Sequence, residues 1–275
     1  MIPENRDCMQ SKSQAIVLKF GGASVESPQS FSQIAEIIID RAKTYANIAV
    51  VVSAMGDTTD KLIALAKEVH PEPPQRECDM LITVGERISI SLLAMALAKK
   101  GVSAVSFTGS QSGIITCSQH QEAKILDVRP RRLFSAFQEK KIAIVAGFQG
   151  VSLNGEITTL GRGGSDTSAV ALGVSLRASH VEFFKDVPGI FNVDPKLDVQ
   201  AKQYMQLSYK EAIEIARHGA KVMHQRGIHL AKKNALPLFV TTFKEKGGGL
   251  GTWIVDRNLE SPPVPLYEIE DRETN

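Results

Sequence analysis

Short, almost unbroken apolar runs alternate along this chain with longer segments in which apolar residues recur every three or four positions. The first pattern belongs to strands buried on both faces and the second to amphipathic helices, so together they predict βαβ units around a mainly parallel sheet. Strands are predicted at 15–20, 48–53, 102–107, 142–147, 180–185 and 238–243. Helices are predicted at 28–43, 59–69, 80–100, 131–138, 166–176, 209–217 and 220–234. Ser27 is expected to cap the first helix, with Pro28 as its first residue, where a missing N–H costs nothing. Around Asn154-Gly155 apolar and polar positions alternate, which predicts a hairpin over 151–158.

Composition narrows the class. The chain has 275 residues, 43% of them hydrophobic, and its 32 Lys and Arg against 30 Asp and Glu leave a formal charge of +2. That suits one large α/β domain or two small ones and excludes disordered, collagen-like and disulfide-scaffold classes. Near-neutral charge gives no ground for a nucleic-acid partner. The first 14 residues lack the apolar core of a secretory signal and read as a loose tail. The most apolar run, 92–98, is about one-third of the ~20 residues that cross a bilayer, so no membrane partner is expected. Cys8, Cys78 and Cys117 form no Cys-x-x-Cys pair, which favours a reducing, cytoplasmic setting. Charge is nonetheless uneven: 217–246 holds seven Lys or Arg and one acid, whereas 256–275, an acidic tail, holds two and six.

Three stretches carry chemistry. Lys19-Phe20-Gly21-Gly22 closes the first strand, where glycines admit an anion to the backbone and lysine supplies positive charge. The chain has no Gly-Lys dipeptide, so a Walker-type loop is excluded. Gly147-Phe148 and then Thr158-Thr159-Leu160-Gly161-Arg162-Gly163-Gly164-Ser165-Asp166-Thr167 describe a backbone-lined pocket with one guanidinium fork for a carboxylate. The glycine spacing does not match a dinucleotide fingerprint, and a plain N-cap at Ser165 or Asp166 is the simpler alternative. The stretch from Phe184-Lys185-Asp186 to Pro195-Lys196 follows a strand and holds two turn signals, the place where an α/β sheet often receives a nucleotide. His224 and His229 read as structural rather than as metal ligands.

These blocks resemble the amino acid kinase superfamily and, within it, the catalytic domain of the aspartate kinases. Residues 19–25 are similar to the family's K-F-G-G-[TS]-S-V opening, and 51–60 (VVSAMGDTTD) and 84–89 (VGERIS) to its next two blocks. Residues 147–167 resemble its G-F-x-G and T-T-L-G-R-G-G-S-D-[TS] block, 185–196 its D-V-x-G loop, and 219–224 its G-A-K-V-[LM]-H motif. The resemblance implies a three-layer α/β sandwich, the carbamate kinase-like fold, with a mainly parallel central sheet flanked by helices on both faces. It implies one kinase domain over 15–255, without the ACT regulatory modules that usually follow it.

The implied reaction moves the γ-phosphoryl of ATP, carried with Mg²⁺, to the side-chain carboxylate of L-aspartate, the first step toward lysine, threonine and methionine. By family position Lys19, Asp166 and Lys221 are catalytic, with Asp166 orienting the lysines and the Mg²⁺ shell and no side chain implied as a direct metal ligand. Thr59, Glu86, Phe148, Arg162 and Ser165 are implied for the amino acid, Glu86 meeting its ammonium and Arg162 its carboxylate. Lys19, Gly21, Gly22, Lys185, Asp186, Phe191, Lys196 and Lys221 are implied for ATP. Without the resemblance, Glu86 reads as a solvated helix charge pairing with Arg87 or Lys99. Lys185, Phe191 and Lys196 stand where the family usually has threonine, tyrosine and arginine, and Gln225 where it has proline. A homo-oligomer, in the simplest form a homodimer through the apolar helix 80–100, is implied. The alternatives are a kinase for another small amino-acid carboxylate and a non-catalytic nucleotide- or amino-acid-binding regulatory subunit.

Overall fold

Residues 13–193, 195, 198, 200–218, 223–244, 250–256 and 258–268 are described in a computed structural model. The first half of the chain runs β1 (Ser13–Phe20), α1 (Ser30–Arg41), β2 (Tyr45–Val52), α2 (Thr58–Val69), α3 (Gln75–Ile82), α4 (Val84–Lys99), β3 (Ala104–Phe107), α5 (Gly109–Ser112), β4 (Ile114–Thr116) and β5 (Ile125–Val128). The second half runs α6 (Arg131–Gln138), β6 (Ile142–Ala146), β7 (Gln149–Ser152), β8 (Ile157–Thr159), α7 (Gly164–Ser175), β9 (Val181–Lys185), β10 (Gln206–Leu207), α8 (Tyr209–Arg217), α9 (Gln225–Lys233), β11 (Leu238–Thr242) and β12 (Thr252–Ile254).

The apolar runs become the inner strands of an eight-stranded sheet ordered β10-β12-β11-β9-β1-β2-β6-β3. From β11 to β3 every pairing is parallel, and only β12 on β11 is antiparallel. Side chains alternate across a strand, so each inner strand feeds two cores. Ile16, Leu18 and Phe20 of β1 join Val50 and Val52 of β2 under α1 and α4. Ala15 and Val17, with Ala49 and Val51, face α6, α7, α8 and α9. Helix, sheet and helix thus form the three expected layers, and burial on both faces is why these strands read as continuous apolar runs.

The structure departs from the sequence expectation in several places. Helix α1 begins at Ser30, not Pro28, because the Ser27 hydroxyl meets that of Ser30 (3.2 Å) and caps no backbone N–H. The single helix expected over 80–100 is two, α3 and α4, joined at Thr83, whose buried carbonyl accepts from Gln149 Nε2 (3.2 Å). The span Gln75–Lys99 is apolar and long enough to cross a bilayer by composition. Here it is interrupted at Thr83 and buries Glu86, Ser89, Ile90, Leu93 and Leu97 within the fold. The hairpin at 151–158 is present as β7 and β8, but it belongs to a second sheet, β5-β4-β7-β8, whose other strands have only three or four residues. Helix α9 starts at Gln225, and the preceding 220–222 of the expected 220–234 helix lie outside the described residues.

The acidic C-terminal segment is anchored as far as it is described. Arg226 binds the Glu268 carboxylate and the carbonyls of Leu160 and Ala123, and Glu268 Oε2 accepts the Ile125 N–H at 2.8 Å. Asn234 holds Leu266 through its carbonyl (2.8 Å) and its N–H (2.9 Å).

Candidate functional site

Strand order reverses about β1: the chain adds β2, β6 and β3 on one side and β9, β11 and β12 on the other. The crevice outside the carboxyl ends of strands at such a switch point is where open α/β sheets bind ligands. Lys19, at the end of β1, is in register with Phe183 of β9. Lys185, two residues further along β9, therefore points to the same face, the one covered by α7. The chain then enters a 3-10 turn at Gly22–Ser24, where Gly21 passes the Lys19 ammonium closely enough that a methyl group would sit 3.4 Å from it.

Helix α7 brings the opposing charge. Its entry turn needs glycine, because Gly161 and Gly163 both have φ of 70° and a side chain there would strike the Gln121 carbonyl and the His224 ring. Asp166 follows in the first turn, 5% exposed. Its Oδ1 lies 2.5 Å from Lys19 Nζ, and its Oδ2 is 3.6 Å from Lys185 Nζ and accepts the His224 N–H at 3.4 Å. Burial pushes the Asp166 carboxyl up, but Lys185, Lys19 and the His224 N–H outweigh it and hold the group well below the usual carboxylate range. Burial, with the nearby Lys19 charge, pulls the Lys185 ammonium down to about 8 against the opposing pull of Asp166 and Asp186.

A second cluster forms where β2 meets α4. Gly85 lets the helix press on Ala54, whose methyl would lie 2.7 Å from any side chain added there. Glu86 is consequently 3% exposed, with Oε1 accepting the Ala54 N–H at 3.1 Å and Oε2 buried without a hydrogen-bond partner. Burial pushes its carboxyl up to about 7. Glu86 is therefore not the solvated helix charge that its neighbours in sequence suggest. Beside it, the hydroxyls of Ser53 and Ser165 meet at 2.9 Å, and Gly147 leaves room for Ser165, whose Cβ would lie 2.7 Å from a methyl at that position.

Phe148 sits in the left-handed region, φ 70°, a conformation that costs a bulky residue on the order of 1–2 kcal/mol. It is held there by Ser168 Oγ, which accepts its N–H at 3.0 Å, and by the Leu160 N–H on its carbonyl at 2.9 Å. Thr59 is half-buried in the first turn of α2, and Arg162 is exposed in the turn before α7. Gly22 packs against the Ala54 and Gly56 carbonyls, while Asp186 and Phe191 are half-buried on the segment after β9. Among the described residues no hydrogen bond or ion pair joins Thr59, Arg162 or Phe191 to either cluster. Lys196 and Lys221 lie outside the described residues. His224 caps α9, its Nδ1 accepting the Arg226 N–H at 3.4 Å, in keeping with a structural role.

Sequence reasoning passed over Ser53, the Ala54 N–H and Asp79. The Asp79 carboxylate is fully buried and serves His120 Nδ1 (2.7 Å), the Gln121 N–H (3.2 Å), the Thr159 N–H (3.2 Å) and the Thr159 hydroxyl (2.6 Å). It ties α3 and the loop before β5 to the strand that leads into the Gly161–Gly163 turn. It follows Gln75-Arg76-Glu77 in α3, so the sequence does not set it apart from an ordinary helix charge.

Residues 14–242 match the profile of the amino acid kinase family. The aspartokinase of Mycolicibacterium smegmatis is 46% identical over 251 residues, which are 90% of this chain and 59% of that protein. Among solved structures, aspartate kinase from Synechocystis superposes with a TM-score of 0.78 at 40% identity, covering 90% of this chain and 41% of the other. E. coli aspartokinase III in complex with aspartate and ADP gives a TM-score of 0.76 at 27% identity, covering 89% of this chain and 65% of the other. The chain thus spans less than two-thirds of the length of each of these relatives.

Proposed function

The chain belongs to the amino acid kinase family, and on that premise we propose that it transfers the γ-phosphoryl group of ATP to the side-chain carboxylate of L-aspartate, giving 4-phospho-L-aspartate. The observation that carries the reading is the pairing of two buried sites: two ammoniums sharing one carboxylate, and beside them a buried carboxylate with a vacant oxygen. Two ammoniums converging on one carboxylate present positive charge that fits a polyphosphate delivered as its Mg²⁺ complex. The free Oε2 of Glu86 fits an ammonium, and the exposed Arg162 fork fits an α-carboxylate.

The acceptor carboxylate is already ionised at neutral pH, so the reaction requires no general base. A new bond joins a side-chain oxygen of aspartate to the γ-phosphorus as the bond from that phosphorus to the bridging oxygen breaks, and ADP departs with the electron pair. Lys19 neutralises charge developing on the transferring group, an effect worth several kcal/mol in such sites. Asp166 fixes the Lys19 ammonium by their 2.5 Å contact. Its low pKa makes it a poor proton acceptor and a lasting counter-charge. Lys221 is proposed to supply a further cation, and Gly21, Gly22, Asp186, Phe191 and Lys196 to line the nucleotide. Thr59, Phe148 and Ser165 complete the amino-acid pocket.

A cytoplasmic setting and a homodimer belong to the same reading. Met80, Val84, Ile88 and Met95 expose an apolar stripe on α3 and α4 that fits a second copy of the chain. Sedimentation of the wild type and Ile88→Lys tests this: a dimer converted to monomer supports it, and a wild-type monomer refutes it. The function itself is tested by incubating the protein with ATP–Mg²⁺ and hydroxylamine across aspartate, glutamate, N-acetylglutamate and homoserine. Hydroxamate from aspartate alone supports the proposal. Hydroxamate from N-acetylglutamate and none from aspartate contradicts it.

A further inference from the structure

Lys185 is a second cation on Asp166, and its surroundings assign it more than a share in an ion pair. Lys19 and Lys185 leave the carboxyl ends of neighbouring parallel strands on the same face, and the first turn of α7 sets Asp166 between them. Side-chain exposure is 5% for Lys19, 16% for Lys185 and 8% for Asp166, so two ammoniums share one carboxylate in a sheltered place. Asp166 serves them unequally, with Oδ1 2.5 Å from Lys19, whereas Oδ2 stands 3.6 Å from Lys185 and is shared with the His224 N–H. Lys185 is thus the less engaged ammonium, although Asp186 beside it also acts on its charge. A sheltered cation held this loosely is costly unless an anion completes its coordination. The positive end of the α7 dipole, directed at the same place, adds to the preference for an anion.

We propose that Lys185 is a further catalytic residue, whose ammonium contacts the phosphate chain of ATP beside Lys19 while Asp166 holds the two lysines in position. The inference rests on the phosphotransferase reading given above. As the bond between the γ-phosphorus and its bridging oxygen breaks, negative charge accumulates on the departing ADP, and a second ammonium next to Lys19 offsets it without giving up a proton.

The test uses the 275-residue chain as wild type, Lys185→Met and Lys185→Arg. Calorimetry with ADP–Mg²⁺ gives nucleotide affinity, and the hydroxamate assay gives kcat and KM for both substrates. Loss of one charged contact is expected to weaken ADP–Mg²⁺ binding about 10- to 100-fold in Lys185→Met and to lower kcat/KM for ATP at least as much. The KM for aspartate stays within about twofold, and Lys185→Arg recovers most of the nucleotide affinity. Because the methionine variant removes a sheltered cation while Lys19 still pairs with Asp166, it melts no lower than wild type. ADP–Mg²⁺ binding by Lys185→Met within twofold of wild type overturns the proposal, as does equal impairment of the arginine and methionine variants with native circular dichroism. If the wild type forms no hydroxamate from aspartate but binds ADP–Mg²⁺ in a manner dependent on Lys185, the acceptor assignment fails and the role of Lys185 stands.

Discussion

Replacing Glu86 by glutamine should make the free protein more stable and the enzyme worse. The carboxyl is 3% exposed and its pKa is raised from 4.5 to about 7, chiefly by burial. A raised carboxyl pKa means that the folded state holds the proton more tightly than the unfolded chain. Its contribution to stability therefore declines as pH rises from about 4.5 to 7 and levels off above that. A shift of this size corresponds to an upper bound of about 3 kcal/mol at pH 8. Glutamine keeps an oxygen for the Ala54 N–H (3.1 Å) but places an NH₂ where Oε2 has no partner, which costs about 1–3 kcal/mol. The expected net gain is thus about 0–2 kcal/mol at pH 8, shrinking toward zero or reversing at pH 5. Denaturant titration at both pH values reads this difference directly. If the vacant oxygen receives the aspartate ammonium, the same variant raises the aspartate KM about 10- to 100-fold with the ATP KM unchanged. An aspartate KM within twofold of wild type, together with equal destabilisation at the two pH values, refutes the reasoning.

Lys19→Ala should lower kcat by at least about 100-fold while aspartate still binds, as steady-state kinetics and calorimetry will show, because it removes the ammonium 2.5 Å from Asp166. Arg162→Ala should raise the aspartate KM about tenfold or more with little change in kcat, and its melting temperature should match wild type because the side chain is exposed. Asp79→Asn loses a charged acceptor of four hydrogen bonds and should cost about 2–4 kcal/mol in denaturant titration.

The inner strands of the central sheet were legible because they are buried on both faces: the runs at 15–20, 48–53 and 142–147 are short and apolar almost without interruption. The second sheet was not, since strands such as Ile114–Thr116 and Ile125–Val128 are too short to establish a period. Thr83 breaks the long apolar helix through a contact with Gln149, 66 residues away, and no local signal announces that. The site shows the same division. Lys19 with its glycines and the Gly161–Asp166 turn are contiguous in sequence, so their chemistry could be read directly. The sharing of Asp166 between Lys19 and Lys185 depends on strand register, and the burial of Glu86 depends on how closely Gly85 lets α4 approach Ala54. Both are tertiary facts, and so is the Asp79 hub.

The central claim, transfer to the side-chain carboxylate of aspartate, can be followed by the oxygen atom itself. Aspartate labelled with oxygen-18 in its side-chain carboxylate is incubated with ATP–Mg²⁺ and the protein, and the product is trapped with hydroxylamine, which attacks the acyl carbon and releases phosphate. Mass analysis of that phosphate should find one labelled oxygen per molecule, and none with Lys19→Ala at matched times. Phosphate released without label by the wild-type protein contradicts the account.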